Sequence, residues 1–165
     1  MNGLRIAVAG MGRSGIAIAK AAKARGATPV VLDEAPAESE ERIALQDELQ
    51  AQGIEVVCGW HGRLEPGDHD ILVASPGFRR THPAILDAQA MGMEVISEIE
   101  FAGRIARGPI VAITGTNGKS TTTVMTWLIL QGLGHDPILC GNISGSGYDE
   151  LTLTEAADQG QDDQP

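Results

Sequence analysis

The chain has 165 residues, is 42% hydrophobic and carries a formal net charge of −10, with only 3% aromatic residues. This length and apolar content suit one packed domain, or one domain and part of another. An acidic chain with no basic stripe and few aromatic side chains lacks a surface for nucleic acid, so we expect no nucleic-acid partner.

The cysteine content and the N-terminus both indicate a cytoplasmic protein. The two cysteines, Cys58 and Cys140, do not make the framework of a disulfide-rich secreted domain. The N-terminal residues include no apolar run of the length that a signal peptide or a membrane span needs. We therefore expect no membrane partner.

The first 33 residues predict a nucleotide-binding βαβ unit. A short apolar strand over residues 4–9 leads into G-x-G-x-x-G at residues 10–15, and a helix follows over residues 14–25. A second strand over residues 28–32 ends in Asp33, about twenty residues after the glycine loop. The glycines permit a tight turn and a close backbone approach to a diphosphate, and Asp33 can accept a hydrogen bond from a ribose or a base.

The following segments alternate in the same way. Strands are predicted at residues 54–57, 70–74 and 94–96, and helices at residues 36–52, 82–91 and 97–107. Ser97 and Glu100 have the spacing of a capping box at the start of the last helix. The alternation indicates an α/β fold with a Rossmann-like, doubly wound parallel sheet, which we place at residues 1–107.

A second candidate ligand contact follows the fourth predicted strand. Ser75-Pro76-Gly77 has proline and glycine in the order that suits the middle of a type II turn. The turn would lie at the carboxyl end of a parallel strand, where open α/β sheets bind ligands. The Ser75 hydroxyl could donate a hydrogen bond to a phosphate there. Arg79 and Arg80 come next, and a solvated loop pair explains them equally well.

Residues 108–148 begin with the layout of a phosphate-binding loop. A predicted strand over residues 110–113 is followed by a glycine loop, then Lys119 and Ser120, then a helical pattern. The loop amides and the helix N-terminus would hold a polyphosphate. Lys119 would reach its outer phosphates, and the Ser120 hydroxyl would bind the phosphate-bound Mg²⁺.

This loop is shorter than the common G-x-x-x-x-G-K-[ST] pattern, because Ile113 stands where the first glycine belongs. A glycine turn before a Thr-rich helix is the alternative, but the flanking strand and helix favour the phosphate-binding loop. We predict that residues 108–148 start a P-loop α/β domain that they do not complete. Residues 149–165 are predicted to be an acidic, disordered tail, although residues 154–158 have a pattern that could start a helix.

Taken together, the motifs resemble those of the Mur ligases and the folylpolyglutamate synthetases. T-G-T-N-G-K-S-T at residues 114–121 is similar to their short phosphate loop. The first glycine loop, V-A-S-P-G at residues 73–77, E-I-E at residues 98–100 and G-N-I at residues 141–143 occur in matching order. The resemblance covers about residues 4–155, and its first-domain motifs are most similar to those of the D-glutamate-adding members.

The resemblance implies an ATP-dependent amide-bond ligase that adds D-glutamate to UDP-N-acetylmuramoyl-L-alanine in peptidoglycan synthesis. In such enzymes the substrate carboxylate attacks ATP to give an acyl phosphate, from which the amine of D-glutamate displaces phosphate. Lys119, as the catalytic residue, and Mg²⁺ would offset charge on the transferring group.

The resemblance also implies two binding sites, one for UDP-substrate in the first domain and one for ATP in the second. The UDP-substrate residues would be Gly12, Arg13, Ser14, Gly15, Asp33, Ser75, Gly77 and Asn142. The ATP residues would be Gly115, Thr116, Asn117, Gly118, Lys119, Ser120 and Thr121, with Ser120 also a metal ligand.

The sequence departs from this family in what it lacks. The family's further metal-binding glutamate, its carbamylated lysine, its adenine contacts and its amino-acid-binding domain have no counterpart, so we expect no ligase activity from this chain alone. Three alternatives stay open: a dinucleotide-binding module, which leaves Lys119 unexplained, a non-catalytic partner-binding piece, and another ligase of the same superfamily with a different amino acid.

Overall fold

The computed structural model describes residues 1–143 and 151–159. The predicted boundary between residues 148 and 149 lies outside them. The chain divides into two compact units, Met1–Phe101 and Ala102–Pro165.

The first unit is built on a five-stranded parallel sheet with the strand order β3-β2-β1-β4-β5. The strands are β1 (Arg5–Ala9), β2 (Thr28–Asp33), β3 (Glu55–Cys58), β4 (Ile71–Ala74) and β5 (Glu94–Ser97). The predicted α/β fold with a doubly wound parallel sheet is confirmed. The central strands are buried on both faces, as parallel strands under helices are, and Leu72 and Val73 are fully buried.

Three helices belong to this unit and a fourth begins in it, and side chains cap the starts of all but the first. They are α1 (Arg13–Ala24), α2 (Glu40–Ala51), α3 (Pro83–Ala90) and α4 (Glu98–Ile105). Helix α2 begins later than residue 36 because the Ser39 side chain caps it, accepting from the Arg42 N–H at 3.3 Å. Ser97 accepts from the Glu100 N–H at 3.3 Å, as the capping box predicted.

The register of the sheet brings the predicted ligand residues to one edge. Ala9 of β1 pairs with Leu32 of β2 and with Ala74 of β4, so the segments that follow these three strands leave the sheet side by side. The chain adds β2 and β3 on one side of β1 and then β4 and β5 on the other. The switch point between β1 and β4 is where open α/β sheets bind their ligands.

In the second unit the predicted strand over residues 110–113 was wrong. These residues join no strand, and the side chains of Ile110 and Val111 are 62% and 64% exposed. A strand needs a partner for its backbone groups. Within residues 102–143 and 151–159, the only β-type backbone pairing is an isolated bridge between Cys140 and Leu151.

The helix expected after the phosphate loop is present as α5 (Lys119–Gly132), and none of its residues is buried. A second helix, α6 (Leu153–Gln159), confirms the helix expected to start over residues 154–158 and shows that the prediction of disorder is wrong for those residues. Helix α6 starts with a reciprocal capping box, in which the Glu155 N–H donates to Thr152 Oγ1 at 3.1 Å and the Thr152 N–H to Glu155 Oε2 at 2.7 Å. The T-x-x-E spacing was the sequence signal for it.

Candidate functional site

The glycine loop after β1 lies at the switch point, and two of its glycines are required by the chain itself. Gly10 has a φ of +98°, which side-chain-bearing residues rarely adopt. A Cβ on Gly15 would lie 1.9 Å from the carbonyl oxygen of Gly10, so α1 packs against the loop only with glycine there. These two positions therefore need no ligand to explain them.

Gly12 is different, because nothing in the fold requires a glycine there. Its φ of −86° is ordinary, it is the N-cap of α1 without a side-chain cap, and a Cβ would have no atom within 4 Å. The first N–H groups of a helix have no intrahelical acceptor and carry a partial positive charge. The open space beside Gly12 is thus a place where an anion could approach them. Arg13 and Ser14 form the first turn, with Arg13 exposed.

Asp33 ties the glycine loop to the loop after β2. Its Oδ2 accepts from the Met11 N–H at 2.6 Å, and its Oδ1 accepts from the Ala35 N–H at 2.9 Å and from Arg42 Nη2 at 2.7 Å. A carboxylate has about four acceptor positions, so these contacts leave room for one further donor. Arg42 also donates to the carbonyl oxygens of Ala35 and Pro36.

The turn after β4 differs from the prediction in two ways. The Ser75 hydroxyl donates to the carbonyl oxygen of Ala9 at 2.6 Å, so its single proton is not directed at a ligand, although its oxygen can still accept. The Phe78 N–H closes the turn on the Ser75 carbonyl at 3.0 Å, but Gly77 lacks the positive φ of a type II turn. Proline at the second position is equally compatible with a type I turn.

Gly77 shares with Gly12 the absence of an internal reason for glycine. Its φ is not positive, and a Cβ would meet no atom within 4 Å. Both open positions follow neighbouring strands, β1 and β4, at the carboxyl edge of the sheet. Both are exposed, so at each position the backbone is open to solvent at the edge of the switch point.

A cleft of about 320 Å³ is lined by Gly77 and His82, together with Glu34, Phe78, Arg79 and Thr81. His82 is the N-cap of α3, where its Nδ1 accepts from the Ala84 N–H at 3.2 Å, and its Nε2 lies 3.1 Å from Glu34 Oε1. The ring stacks on Trp60 and meets the edge of Phe78. Sequence reasoning missed this cluster; a histidine directly before a proline at a helix start was its available signal.

In the second unit, the phosphate-loop residues form an exposed turn at the N-terminus of α5. Gly118 is the left-handed N-cap of the helix, with a φ of +76°. Lys119 is exposed, and its Nζ donates to the carbonyl oxygens of Gly115 at 2.7 Å and Thr116 at 3.3 Å. Ser120 and Thr121 are exposed in the first turn. The lysine thus curls over the loop instead of pointing into a packed interior.

The structure therefore gathers the predicted residues into two groups. The glycine loop, Asp33, Ser75 and Gly77 share the switch point of the first unit, whereas the phosphate loop and the exposed Asn142 belong to the second. Over residues 1–143 and 151–159, no group of three or more His, Cys, Asp or Glu side chains could hold a metal ion. In that same part of the chain, no helix is long and apolar enough to cross a membrane.

Comparison with known proteins identifies relatives for most of the chain. Residues 4–97 match the family described as Mur ligase MurD-like, N-terminal domain. The chain is 41% identical over 140 residues to UDP-N-acetylmuramoylalanine–D-glutamate ligase of Geobacillus kaustophilus, covering 84% of this chain and 30% of that protein. It is 40% identical over 144 residues to the enzyme of the same name from Koribacter versatilis, covering 87% of this chain and 31% of that protein. The chain thus spans about 30% of the length of these relatives.

Solved structures agree on the fold. A UDP-N-acetylmuramate-alanine ligase from Thermotoga maritima is similar with a TM-score of 0.50 and 25% identity, over 79% of this chain and 30% of that one. A pseudomurein peptide ligase type C from Methanothermus fervidus has a TM-score of 0.53 at 22% identity, over 93% of this chain and 31% of that one.

Proposed function

Since the chain belongs to the Mur ligase family through its MurD-like N-terminal domain, we propose that its first unit binds the UDP end of a UDP-muramoyl substrate. The substrate is UDP-N-acetylmuramoyl-L-alanine, which the names of the curated relatives suggest. The protein that carries this domain joins D-glutamate to it in the cytoplasm.

The observation that carries the proposal is the pair of open glycine positions, Gly12 and Gly77, after the two neighbouring strands at the switch point. Gly12 and Gly77 leave open the two positions where a side chain would stand, although neither glycine is needed for the fold. A diphosphate placed there would meet the N-terminus of α1, whose dipole and first-turn N–H groups favour negative charge. Ser75 contributes as an acceptor or through its backbone, since its proton is bound to Ala9.

The contacts of Asp33 favour UDP over a nicotinamide dinucleotide. In dinucleotide-binding domains the acidic residue after the second strand hydrogen-bonds the ribose hydroxyl. Here three donors from the chain already occupy both oxygens of Asp33. One free acceptor position suits a single donor, such as the imide N–H of a uracil base, better than a ribose diol.

The second unit supplies the phosphate loop for ATP. Its amides and Lys119 would hold the phosphates, and the Ser120 hydroxyl would be the protein's ligand to Mg²⁺. The observed position of Lys119, across the loop carbonyls, keeps its charge where a polyphosphate would lie. Bound Mg²⁺ supplies charge neutralisation for phosphoryl transfer. Asn142 would contact the muramoyl-alanine part of the substrate.

For the whole protein, we propose that the substrate carboxylate is activated as an acyl phosphate and that D-glutamate then displaces phosphate. This chemistry needs groups that stabilise charge on the transferring phosphoryl group, and Lys119 is the candidate within the described residues. The proposal concerns the whole enzyme because the chain spans only about 30% of its relatives' length.

Calorimetric titration of the chain with UDP and, separately, with NADH tests the substrate class. The proposal expects saturable binding of UDP with one molecule per chain and no binding of NADH. Binding of NADH alone would instead support the dinucleotide-binding alternative.

A further inference from the structure

The hydrogen bond between Glu34 and His82 links two segments that carry residues of the proposed UDP site, and its two residues are 48 positions apart in the sequence. Glu34 directly follows Asp33 in the loop after β2, and His82 ends the segment after β4 that contains Gly77. Their side-chain atoms, Oε1 and Nε2, are 3.1 Å apart. This bond joins the two sides of the switch point outside the sheet.

The neighbouring contacts fix the histidine ring in one orientation. Because Nδ1 accepts the Ala84 N–H, the neutral ring carries its proton on Nε2, and this proton points at Glu34. The Trp60 ring stacks on His82 with 6.1 Å between centroids, and the Phe78 ring meets it edge-on at 4.6 Å. The His82 side chain is only 15% exposed, so its rotamer is held from several sides.

The loop between β3 and β4 passes close over this pair. A Cβ on Gly62 would lie 2.7 Å from Glu34 Oε1 and 3.4 Å from His82 Cε1. Phe78 in turn packs against the first glycine loop, since a Cβ on Gly10 would lie 3.2 Å from its ring. The segments that follow β1, β2, β3 and β4 therefore contact the Glu34–His82 pair or its aromatic neighbours.

We propose that the Glu34–His82 hydrogen bond is a latch that holds the loop after β2 and the turn after β4 in the geometry that binds the nucleoside end of the substrate. This inference rests on the proposed UDP site. Glu34 and His82 are positioning residues, because they set where Asp33 and Gly77 stand relative to one another. The bond spans the cleft wall beside Gly77, so its loss lets the two segments separate without unpairing a strand.

Two substitutions separate the latch from the other role of His82, which is to cap α3. His82→Asn keeps a good N-cap, because an asparagine side chain accepts the same helix N–H groups, but it is too short to reach Glu34. Glu34→Ala removes the latch from the other side and leaves the cap intact. Glu34→Gln keeps the length and the acceptor oxygen, so it is the rescue variant. Glu48→Ala is the matched control, since Glu48 is 53% exposed and Glu34 is 54% exposed.

The test measures UDP affinity and amide hydrogen exchange on the same purified chains. We expect His82→Asn and Glu34→Ala each to weaken UDP binding about five- to tenfold, which is the loss of one hydrogen bond. The double variant should be no worse than either single variant, since both remove the same bond. Glu34→Gln should stay within about twofold of the wild-type chain, and Glu48→Ala should match it. Wild-type affinity in both His82→Asn and Glu34→Ala would overturn the latch.

Amide hydrogen exchange in the chain without UDP tests, independently of UDP binding, whether the Glu34–His82 bond couples the two segments. The Phe78 N–H reports on the turn after β4, and the Ala35 N–H reports on the loop after β2. A latch requires that Glu34→Ala speeds exchange at Phe78 and that His82→Asn speeds exchange at Ala35. If each variant affects only its own segment, the latch is wrong. If the wild-type chain binds no UDP, the proposed function fails, and this exchange measurement alone judges the latch.

Discussion

The carboxylate of Asp33, at the end of β2, accepts a hydrogen bond of 2.6 Å from the backbone N–H of Met11 in the glycine loop after β1. Met11 is 4% exposed, so water does not readily replace the carboxylate as the acceptor. The position of the glycine loop therefore depends on a side chain 22 residues further along the chain.

Asp33→Asn should destabilise the chain by about 1–3 kcal/mol and weaken UDP binding, because an amide NH₂ group then faces an N–H donor. Urea unfolding and a UDP titration measure the two effects. Asp47→Asn, which neutralises an exposed acid on α2, is the control and should change neither. A stability for Asp33→Asn equal to that of the control would show that the Met11 contact does not hold the loop.

Alanine substitutions at Gly12 and Gly15 should have different effects, the first mainly on UDP binding and the second mainly on stability. Gly12→Ala should cost no more than about 1 kcal/mol of stability, because its Cβ enters open space at an N-cap. It should nevertheless abolish UDP binding, since the methyl group would stand where we propose that the diphosphate approaches the N-terminus of α1. Gly15→Ala should cost more than about 2 kcal/mol, because its Cβ would lie 1.9 Å from a carbonyl oxygen. Unaltered UDP affinity in Gly12→Ala would place the diphosphate elsewhere.

The sheet could be predicted from the sequence because its signals are local. Short apolar runs at regular intervals, each followed by a glycine or a helix, predicted all five strands of the first unit. The failed strand at residues 110–113 has an equally good local pattern. A strand also needs a pairing partner, and no apolar run reveals whether the partner is present.

The candidate site could be predicted only in part, for a similar reason. Gly12, Asp33 and Gly77 follow strands, and parallel strands end at one edge, so their proximity could be inferred. Arg42 and His82 could not be found in this way, because their partners are acids at distant positions and depend on how the loops fold back. The same holds for the Ser75 hydroxyl, which was expected to donate to a phosphate but donates to the carbonyl oxygen of Ala9.

Lys119→Ala should abolish binding of MgATP and leave the melting temperature of the chain unchanged. The side chain is exposed, and its hydrogen bonds within the described residues go to carbonyl oxygens of its own exposed loop, so its removal leaves no buried group unpaired there. A fluorescent ATP analogue measures the binding. Lys20→Ala removes a lysine from the surface of α1 and should bind like the wild-type chain. If Lys119→Ala and Lys20→Ala bind ATP with equal affinity, Lys119 does not contribute to an ATP site.

Asp70 should make the stability depend on pH at the acidic end. The Arg5 side chain, and next its backbone N–H, hydrogen-bond Asp70 and hold the pKa of its carboxyl below the ordinary value of 3.8. A folded-state pKa below the unfolded one gives stability that is present above pH 3.8 and is lost as the pH falls through the folded value.

Asp70→Asn should therefore be less stable than the wild-type chain at neutral pH, and the difference should shrink as the pH falls below 3.8. Chemical unfolding at a series of pH values measures the change, with Asp47→Asn as the control. A difference that stays constant down to the lowest pH would mean that the Arg5 contact contributes no charge-dependent stability.

The most direct test of the UDP site is a two-dimensional ¹H–¹⁵N spectrum of the chain recorded during a titration with UDP. We expect the amide signals of Gly12, Arg13, Ser75 and Gly77 to shift together and to saturate with a single dissociation constant. Signals of the sheet's opposite edge, such as Gly67 and Gly92, should stay in place. UDP-induced shifts that spare Gly12 and Gly77 would contradict the assignment of the switch point as the substrate site.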